Sequence, residues 1–200
     1  MGKRLGVALA GVAAVAVLGT GYMVSWQSGL QACGSTVIAG EQASIGGPFE
    51  LIDQYGKTRT SADVITGPTL IYFGYTFCPD ICPLDTVRNL DAIDILDERG
   101  IDVLPVFITI DPARDTVSAL ADYAEVSHPR MLALTGSEAQ VAAASKAYRT
   151  FYRKSGEGED YLMDHSTFSY LMDETGFVEF FRRDASPAEV ADAIGCFTEI

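Results

Sequence analysis

The stretch FGYTFCPDICPLD, from Phe73 to Asp85, is the most informative part of the sequence because it joins a predicted buried strand to a predicted long helix. The strand, Thr69–Tyr75, is a continuous run of apolar, β-branched and aromatic residues, as is typical of a central strand. Two cysteines follow, Cys78 and Cys82, and then Pro83, which lacks an N–H and favours the first turn of a helix over its interior. We therefore predict both thiols on a tight loop or distorted first turn, where the helix N-terminus lowers the thiol pKa.

Strands and helices alternate beyond this stretch. Apolar residues recur at helical spacing from Leu84 to Leu96 before Gly100, and Val103–Ile110 has the composition of a second buried strand. The other predicted elements are a helix capped by Asp115 that stops before Pro129, a helix from the capping box Ser137–Gln140 to Phe151, a hairpin of Phe168–Asp173 and Phe177–Phe181, and a last helix starting at Ser186. This order predicts an α/β, thioredoxin-like fold with a central mixed sheet flanked by helices.

The N-terminus predicts a transmembrane helix. Leu5–Trp26 contains 22 residues without a charge, and as a helix it would be roughly 33 Å long, enough to cross a bilayer. Lys3 and Arg4 precede it, so the positive-inside rule puts the rest of the chain on the non-cytoplasmic side. We predict a membrane anchor at 1–26, a flexible tether at 27–47 and the folded domain at 48–200. A cleaved signal peptide and a lipoprotein cleavage site at Leu30–Cys33 are the alternatives.

The charge of the chain bears on its partners. The formal net charge is −13, which repels phosphate backbones and argues against nucleic acid as a partner. A basic protein partner fits better. The acidic loop containing Glu157, Glu159 and Asp160 is a solvated surface in the simplest interpretation. As a hypothesis, this loop docks a positively charged partner face near His165.

The two thiols and one histidine point to a metal or redox site. Two thiolates suit Cu(I), Zn(II) or a redox disulfide equally well, so a third ligand would decide between them. His165 precedes the predicted hairpin. In a thioredoxin-like fold, the loop before this hairpin lies opposite the loop that carries Cys78 and Cys82. Asp164 could orient the imidazole of His165. Such a set fits trigonal Cu(I), with room for a further ligand on Cu(II). We interpret His128 as a solvated residue at a helix end.

Cys33 and Cys196 lie at opposite ends of the exported chain, outside this site. A disulfide between them is plausible outside the cytoplasm. Lipidation of Cys33 and simple burial of Cys196 are the alternatives.

Three motifs, in this order and at these separations, resemble the Sco/SenC family: YFGYTFCPDICP, TIDPARDT and YLMDHS. The resemblance covers the chain from about residue 45 to the C-terminus and includes the N-terminal anchor. The family consists of membrane-anchored, thioredoxin-fold copper proteins involved in assembling the CuA centre of cytochrome c oxidase. The resemblance implies that Cys78, Cys82 and His165 are ligands of Cu(I) and Cu(II). It also implies that Asp111 and Arg114, which match a family motif, support the site.

The function implied by the resemblance is that of a copper chaperone. It would deliver copper to the oxidase subunit that carries the CuA site, or prepare that site for copper. Other copper chaperones are a further candidate class of partner. The domain would lie on the periplasmic side of the inner membrane, on a single-pass anchor, or in the equivalent mitochondrial intermembrane space. The alternative is a thiol–disulfide oxidoreductase that uses Cys78 and Cys82 to reduce the partner's copper-binding cysteines, which would not need His165. A peroxiredoxin-like peroxidase fits less well, because its threonine and arginine surround a single reactive cysteine.

Overall fold

The computed structural model describes Cys33 and residues 45–198. The predicted span Leu5–Trp26 lies outside the described residues, and no helix within them is both long and apolar enough to cross a membrane. The strands are β1 (Glu50–Asp53), β2 (Thr58–Thr60), β3 (Thr69–Gly74), β4 (Leu104–Thr109), β5 (Leu132–Thr135), β6 (Tyr152–Ser155), β7 (Leu162–His165), β8 (Ser169–Asp173) and β9 (Gly176–Phe181). The helices are α1 (Ser61–Val64), α2 (Ile81–Glu98), α3 (Val117–Ser127), α4 (Glu138–Ala147) and α5 (Pro187–Thr198).

Seven strands form one mixed sheet in the order β2-β1-β5-β4-β3-β8-β9, and β6 with β7 forms a separate hairpin. The central strands β3, β4 and β5 are parallel, whereas β1 and β8 pair antiparallel with β5 and β3. Parallel strands end at one edge of a sheet, so the loops after β3 and β4 open side by side. The predicted α/β arrangement, a central mixed sheet flanked by helices, is confirmed.

Two apolar clusters pack against the central strands. In the first, α2 and α5 pack against β3 and β8 through residues that include Leu70, Ile93, Leu171 and Ile194. In the second, the rings of Phe73 and Tyr148 meet with centroids 5.3 Å apart. All six residues of β3 are buried, and each large apolar side chain contributes roughly 1.5–3 kcal/mol. The strand that carries the cysteine loop is therefore firmly held.

Several local features differ from the sequence-based expectation. The strand β5 and the β6–β7 hairpin were not predicted. The helix predicted to reach Phe151 ends at Ala147, because Arg149 adopts a positive φ of 55° and the chain turns towards β6. Of the apolar positions predicted for α2, the first two, Leu84 and Val87, are exposed rather than buried. The capping box at the start of α4 and the β8–β9 hairpin are confirmed.

A disulfide joins Cys33 to Cys196 on α5. This confirms the disulfide among the three alternatives for these cysteines, and a sulfur in a disulfide is not available to carry a lipid. β9 and β3 end at the same edge of the sheet, and α5 begins after β9. α5 then runs back towards the opposite edge, where Gly195 lies beside Ile101, just before the start of β4. The disulfide is therefore at the end of the domain opposite to the cysteine loop.

Candidate metal centre

The cysteine loop leaves the end of β3 and folds back on itself before α2 begins. The N–H of Cys78 donates to the carbonyl of Tyr75 at 3.3 Å, and the N–H of Cys82 donates to Cys78 Sγ at 3.3 Å. α2 begins at Ile81, so Pro83 lies in its first turn, as predicted. Cys78 is partly exposed and Cys82 is fully buried, and both are free thiols.

The two thiols differ in acidity. Burial opposes ionisation of Cys78, but the backbone N–H groups of Asp80, Cys82 and Ile81 stabilise its thiolate and hold its pKa below the ordinary value. Burial, reinforced by the neighbouring Cys78, raises the pKa of Cys82. The prediction that the helix N-terminus lowers the thiol pKa is therefore confirmed for Cys78 and wrong for Cys82, whose deep burial outweighs its position.

Close packing at the end of β3 positions the sulfur of Cys82. A Cβ at Gly74 would lie 2.8 Å from Tyr72 Cε1, 3.0 Å from Phe107 Cε2 and 3.4 Å from Cys82 Sγ. Two of these neighbours are atoms of buried rings, which cannot move aside as a flexible side chain would. The absence of a side chain at Gly74 therefore lets the sulfur lie against the strand.

His165, the last residue of β7, directs its imidazole towards Cys82. Its Nε2 lies 3.2 Å from Cys82 Sγ, and its Nδ1 lies 2.7 Å from the carbonyl of Ser166. A carbonyl only accepts, so Nδ1 carries the proton and Nε2 keeps a lone pair towards the sulfur. Burial lowers the pKa of His165, which favours the neutral ring that a metal ligand needs.

The predicted orienting role of Asp164 is wrong. Its carboxylate accepts from Arg153 at 2.8 Å across the β6–β7 hairpin, and the carbonyl of Ser166 orients the imidazole instead. The cause is strand geometry: neighbouring residues on a strand point to opposite faces, so Asp164 turns away when His165 turns inward.

The ligand atoms of Cys78, Cys82 and His165 all lie within 4.8 Å of one another. The structure thus brings together the three predicted site residues from the loop after β3 and from β7. His128 lies elsewhere. It is at the end of α3, as predicted, but its side chain is mostly buried rather than solvated, with Nε2 3.3 Å from Asp94.

Behind Cys82 lies a buried polar pair that the sequence did not reveal. The hydroxyl of Tyr72 donates to Asp85 at 3.0 Å, and only 3% of Asp85 is exposed. Burial, together with the nearby Cys82 and Asp85, raises the pKa of Tyr72, so its hydroxyl stays protonated as a donor. The Tyr72 and His165 rings also lie in a T-shaped arrangement, with centroids 6.4 Å apart. Tyr72 is therefore fixed by Asp85 and packs against the imidazole.

Asp115 anchors the cysteine loop and does not cap a helix. The cap of α3 is Thr116, whereas the buried carboxylate of Asp115 accepts from the backbone N–H and hydroxyl of Thr76 and from the hydroxyl of Thr109. Burial raises the pKa of Asp115 even though these donors favour its charged form. The carboxylate thus ties the first turn of the loop to the end of β4.

The acidic residues Glu157, Glu159 and Asp160 are exposed in the turn between β6 and β7. His165 lies at the other end of β7, five residues after Asp160, which is about 16 Å along an extended chain. Their docking role stays a prediction.

The fold and the site define a thioredoxin-like protein with two thiols and one imidazole converging at a sheet edge. A family model described as SCO1/SenC matches residues 38–199. Protein SenC of Rhodobacter capsulatus is 52% identical over 159 residues, which cover 78% of this chain and 72% of that protein. The mitochondrial protein SCO2 homolog of Homo sapiens is 43% identical over 164 residues, which cover 76% of this chain and 60% of that protein.

Solved structures give the same result. Arabidopsis thaliana ScoI with copper bound superposes with a TM-score of 0.75 and 40% identity, covering 78% of this chain and all of that chain (100%). Yeast Sco1 with copper bound gives a TM-score of 0.71 and 40% identity, covering 78% of this chain and 89% of that chain. The chain belongs to the Sco/SenC family, as its three sequence motifs predicted.

Proposed function

We propose that this protein is a copper chaperone that binds Cu(I) and Cu(II) through Cys78 Sγ, Cys82 Sγ and His165 Nε2. The observation that carries the proposal is the convergence of these donor atoms within 4.8 Å of one another. Sulfur and imidazole ligands suit copper, and a three-donor set leaves room for a further ligand on Cu(II). Structural zinc sites usually have four protein ligands, and the described residues bring three together here. The copper bound in the related plant and yeast structures also supports copper.

Copper would leave from the Cys78 side. Cys78 is partly exposed, whereas Cys82 is buried, so a sulfur ligand of an acceptor would reach copper first beside Cys78. The acceptor that we propose is the cytochrome c oxidase subunit carrying the CuA site, with other copper chaperones as a further class of partner. Family membership supports this assignment.

We propose a single-pass anchor at 1–26, a tether at 27–47 and the copper-binding domain at 48–200, on the periplasmic side of the inner membrane or in the equivalent mitochondrial space. The disulfide of Cys33 supports an oxidising compartment. It would also shorten the tether, since the seven steps from Trp26 to Cys33 span at most about 25 Å. The metal centre, at the opposite end of the domain, would then face away from the bilayer.

The second candidate is a thiol–disulfide oxidoreductase. The observation that favours it is the difference between the thiols: Cys78 is partly exposed with a lowered pKa, and Cys82 is buried beside it. The Cys78 thiolate would attack a target disulfide and release one target thiol. Cys82 would then attack the mixed disulfide and release the second, so that two electrons pass to the target as the Cys78–Cys82 disulfide forms. This reaction would not need His165.

Copper titration of the full chain in detergent tests the proposal. The wild-type protein, His165→Ala and the matched control His128→Ala, which replaces the other histidine, are titrated with Cu(I) and Cu(II) while Cys78 and Cys82 are reduced. We expect one copper per chain and thiolate-to-Cu(II) absorption. Both should be retained in His128→Ala and lost or strongly weakened in His165→Ala. If His165→Ala bound copper as the wild type does while target disulfides were reduced normally, the oxidoreductase would replace the chaperone.

A further inference from the structure

We propose that Arg114 is a positioning residue that clasps the β6–β7 hairpin to the cysteine loop and so holds His165 beside Cys82. The inference rests on the proposed function, because it gives Arg114 a role in placing one of the three donors. Arg114 itself lies in the loop after β4, and it belongs to neither of the segments that carry donors.

The hairpin needs such a clasp because it is not part of the main sheet. β6 and β7 pair with each other, and their side chains are largely exposed. Two kinds of contact reach the core: the N–H of Met163 donates to the hydroxyl of Tyr75 at 3.2 Å, and the side chains of Tyr152 and Met163 pack against the cluster that contains Phe73. A cavity of about 360 Å³, lined in part by Glu138, Tyr161 and Met163, lies between the hairpin, α4 and the loop after β4. The hairpin is therefore not closely packed on this side.

The guanidinium of Arg114 contacts one aromatic ring from each of the two segments that carry donors. Its Cζ is 3.7 Å from the ring centroid of Tyr161, which directly precedes β7. It is also 4.8 Å from the ring centroid of Phe77, which directly precedes Cys78. Both distances are within the roughly 6 Å over which a cation attracts the face of an aromatic ring. One side chain thus bridges the two segments.

Asp111 fixes both halves of the clasp. Its Oδ2 accepts from Arg114 Nε at 2.6 Å, and its Oδ1 accepts from the hydroxyl of Tyr161 at 2.7 Å. Asp111 is 3% exposed, so these bonds are shielded from water. Arg114 Nη1 also donates to the carbonyl of Glu159, in the turn of the hairpin, at 3.3 Å. The carboxylate, the guanidinium and the hairpin turn therefore form one connected unit.

The clasp acts on His165 through β7. Tyr161 and His165 are four residues apart, and the strand between them is paired along its length with β6. A shift of Tyr161 would therefore carry the strand with it and separate His165 Nε2 from Cys82 Sγ. A leucine at position 114 would remove the cation and the hydrogen bonds while keeping an apolar side chain of shorter reach there.

Hydrogen exchange in the metal-free full chain tests the clasp directly. The variants are Arg114→Leu, the milder Tyr161→Phe, and the control Arg59→Leu, which breaks a comparable bond from an arginine Nε to a buried aspartate, Asp53, at 2.8 Å. We expect Arg114→Leu to speed exchange of the β6–β7 amides at least about tenfold, with β3 and β4 unchanged. Tyr161→Phe should give a smaller increase and Arg59→Leu none in the hairpin. Unchanged hairpin exchange in Arg114→Leu, or in Tyr161→Phe if Arg114→Leu does not fold, overturns the clasp.

Copper affinity then tests whether the clasp acts through His165. Arg114→Leu should weaken copper binding about 10–100-fold, as is usual for residues that orient a ligand. In a His165→Ala background it should cost nothing further, because the positioned group is gone. Additive losses would show that Arg114 does not act through His165. If His165→Ala binds copper as tightly as the wild type does, the proposed function fails. The hydrogen-exchange result still decides whether the clasp exists.

Discussion

The four cysteines form two pairs with opposite chemistry in one chain. Cys33 and Cys196 are 163 positions apart and form a disulfide, whereas Cys78 and Cys82 share one loop and remain thiols. A bridge that closes a long loop removes much of the entropy of the unfolded chain, and a bridge across three residues removes little. Position in the chain therefore separates a crosslink suited to stability from a pair suited to chemistry.

The surroundings of the two pairs reinforce this division. Around Cys78 and Cys82, a backbone N–H points at one sulfur and the imidazole of His165 approaches the other. The disulfide is at the opposite end of the domain, where α5 ends. Distant sites with no shared partners usually act independently. Changes to one pair should therefore leave the property that depends on the other pair unaltered.

Removal of the disulfide between Cys33 and Cys196 should reduce stability more than any other change proposed here. The double variant Cys33→Ser/Cys196→Ser should lose about 2–5 kcal/mol of the free energy of unfolding, because its unfolded chain regains the freedom that the long loop had lost. Urea unfolding of the full chain in detergent measures this loss, and copper titration of the same protein should give wild-type affinity. Cys78→Ser is the matched control, with weakened copper binding and nearly wild-type stability. A double variant that lost copper binding would contradict the independence of the two pairs.

The sequence predicted the metal centre better than the hairpin that carries part of it. β3, the loop and the start of α2 follow from local signals, namely a buried apolar run and the position of Pro83. The strand β6 has three exposed residues out of four, so no apolar periodicity marked it, and its pairing with β7 is not a local property. Asp115 and Thr116 are both good helix caps. Only the contacts of Asp115 with Thr76 and Thr109 show that Thr116, and not Asp115, caps the helix.

A smaller effect should come from closing the space against which Cys82 packs. Gly74→Ala places a methyl group 2.8 Å from Tyr72 Cε1 and 3.4 Å from Cys82 Sγ, so the rings and the sulfur must shift. We expect a loss of about 1–3 kcal/mol in the free energy of unfolding, together with weaker copper binding. Gly67→Ala is the control, since a Cβ there meets nothing within 4 Å. If Gly74→Ala kept wild-type stability and copper affinity, the packing argument for the position of Cys82 would be wrong.

The smallest effect lies within the free pair itself. In the metal-free protein, iodoacetamide should modify Cys78 at least about tenfold faster than Cys82, a difference of about 1.4 kcal/mol in activation free energy. Cys78 is partly exposed and its thiolate is stabilised by backbone N–H groups, whereas Cys82 is fully buried. Because its pKa is lowered, the rate at Cys78 should also level off at a lower pH than that of an ordinary thiol. Mass mapping of the labelled peptides over time measures both rates, with the unreactive Cys33 and Cys196 as an internal control. Equal rates at the two thiols would contradict the prediction, because they would mean that the folded loop does not shield Cys82 from the reagent.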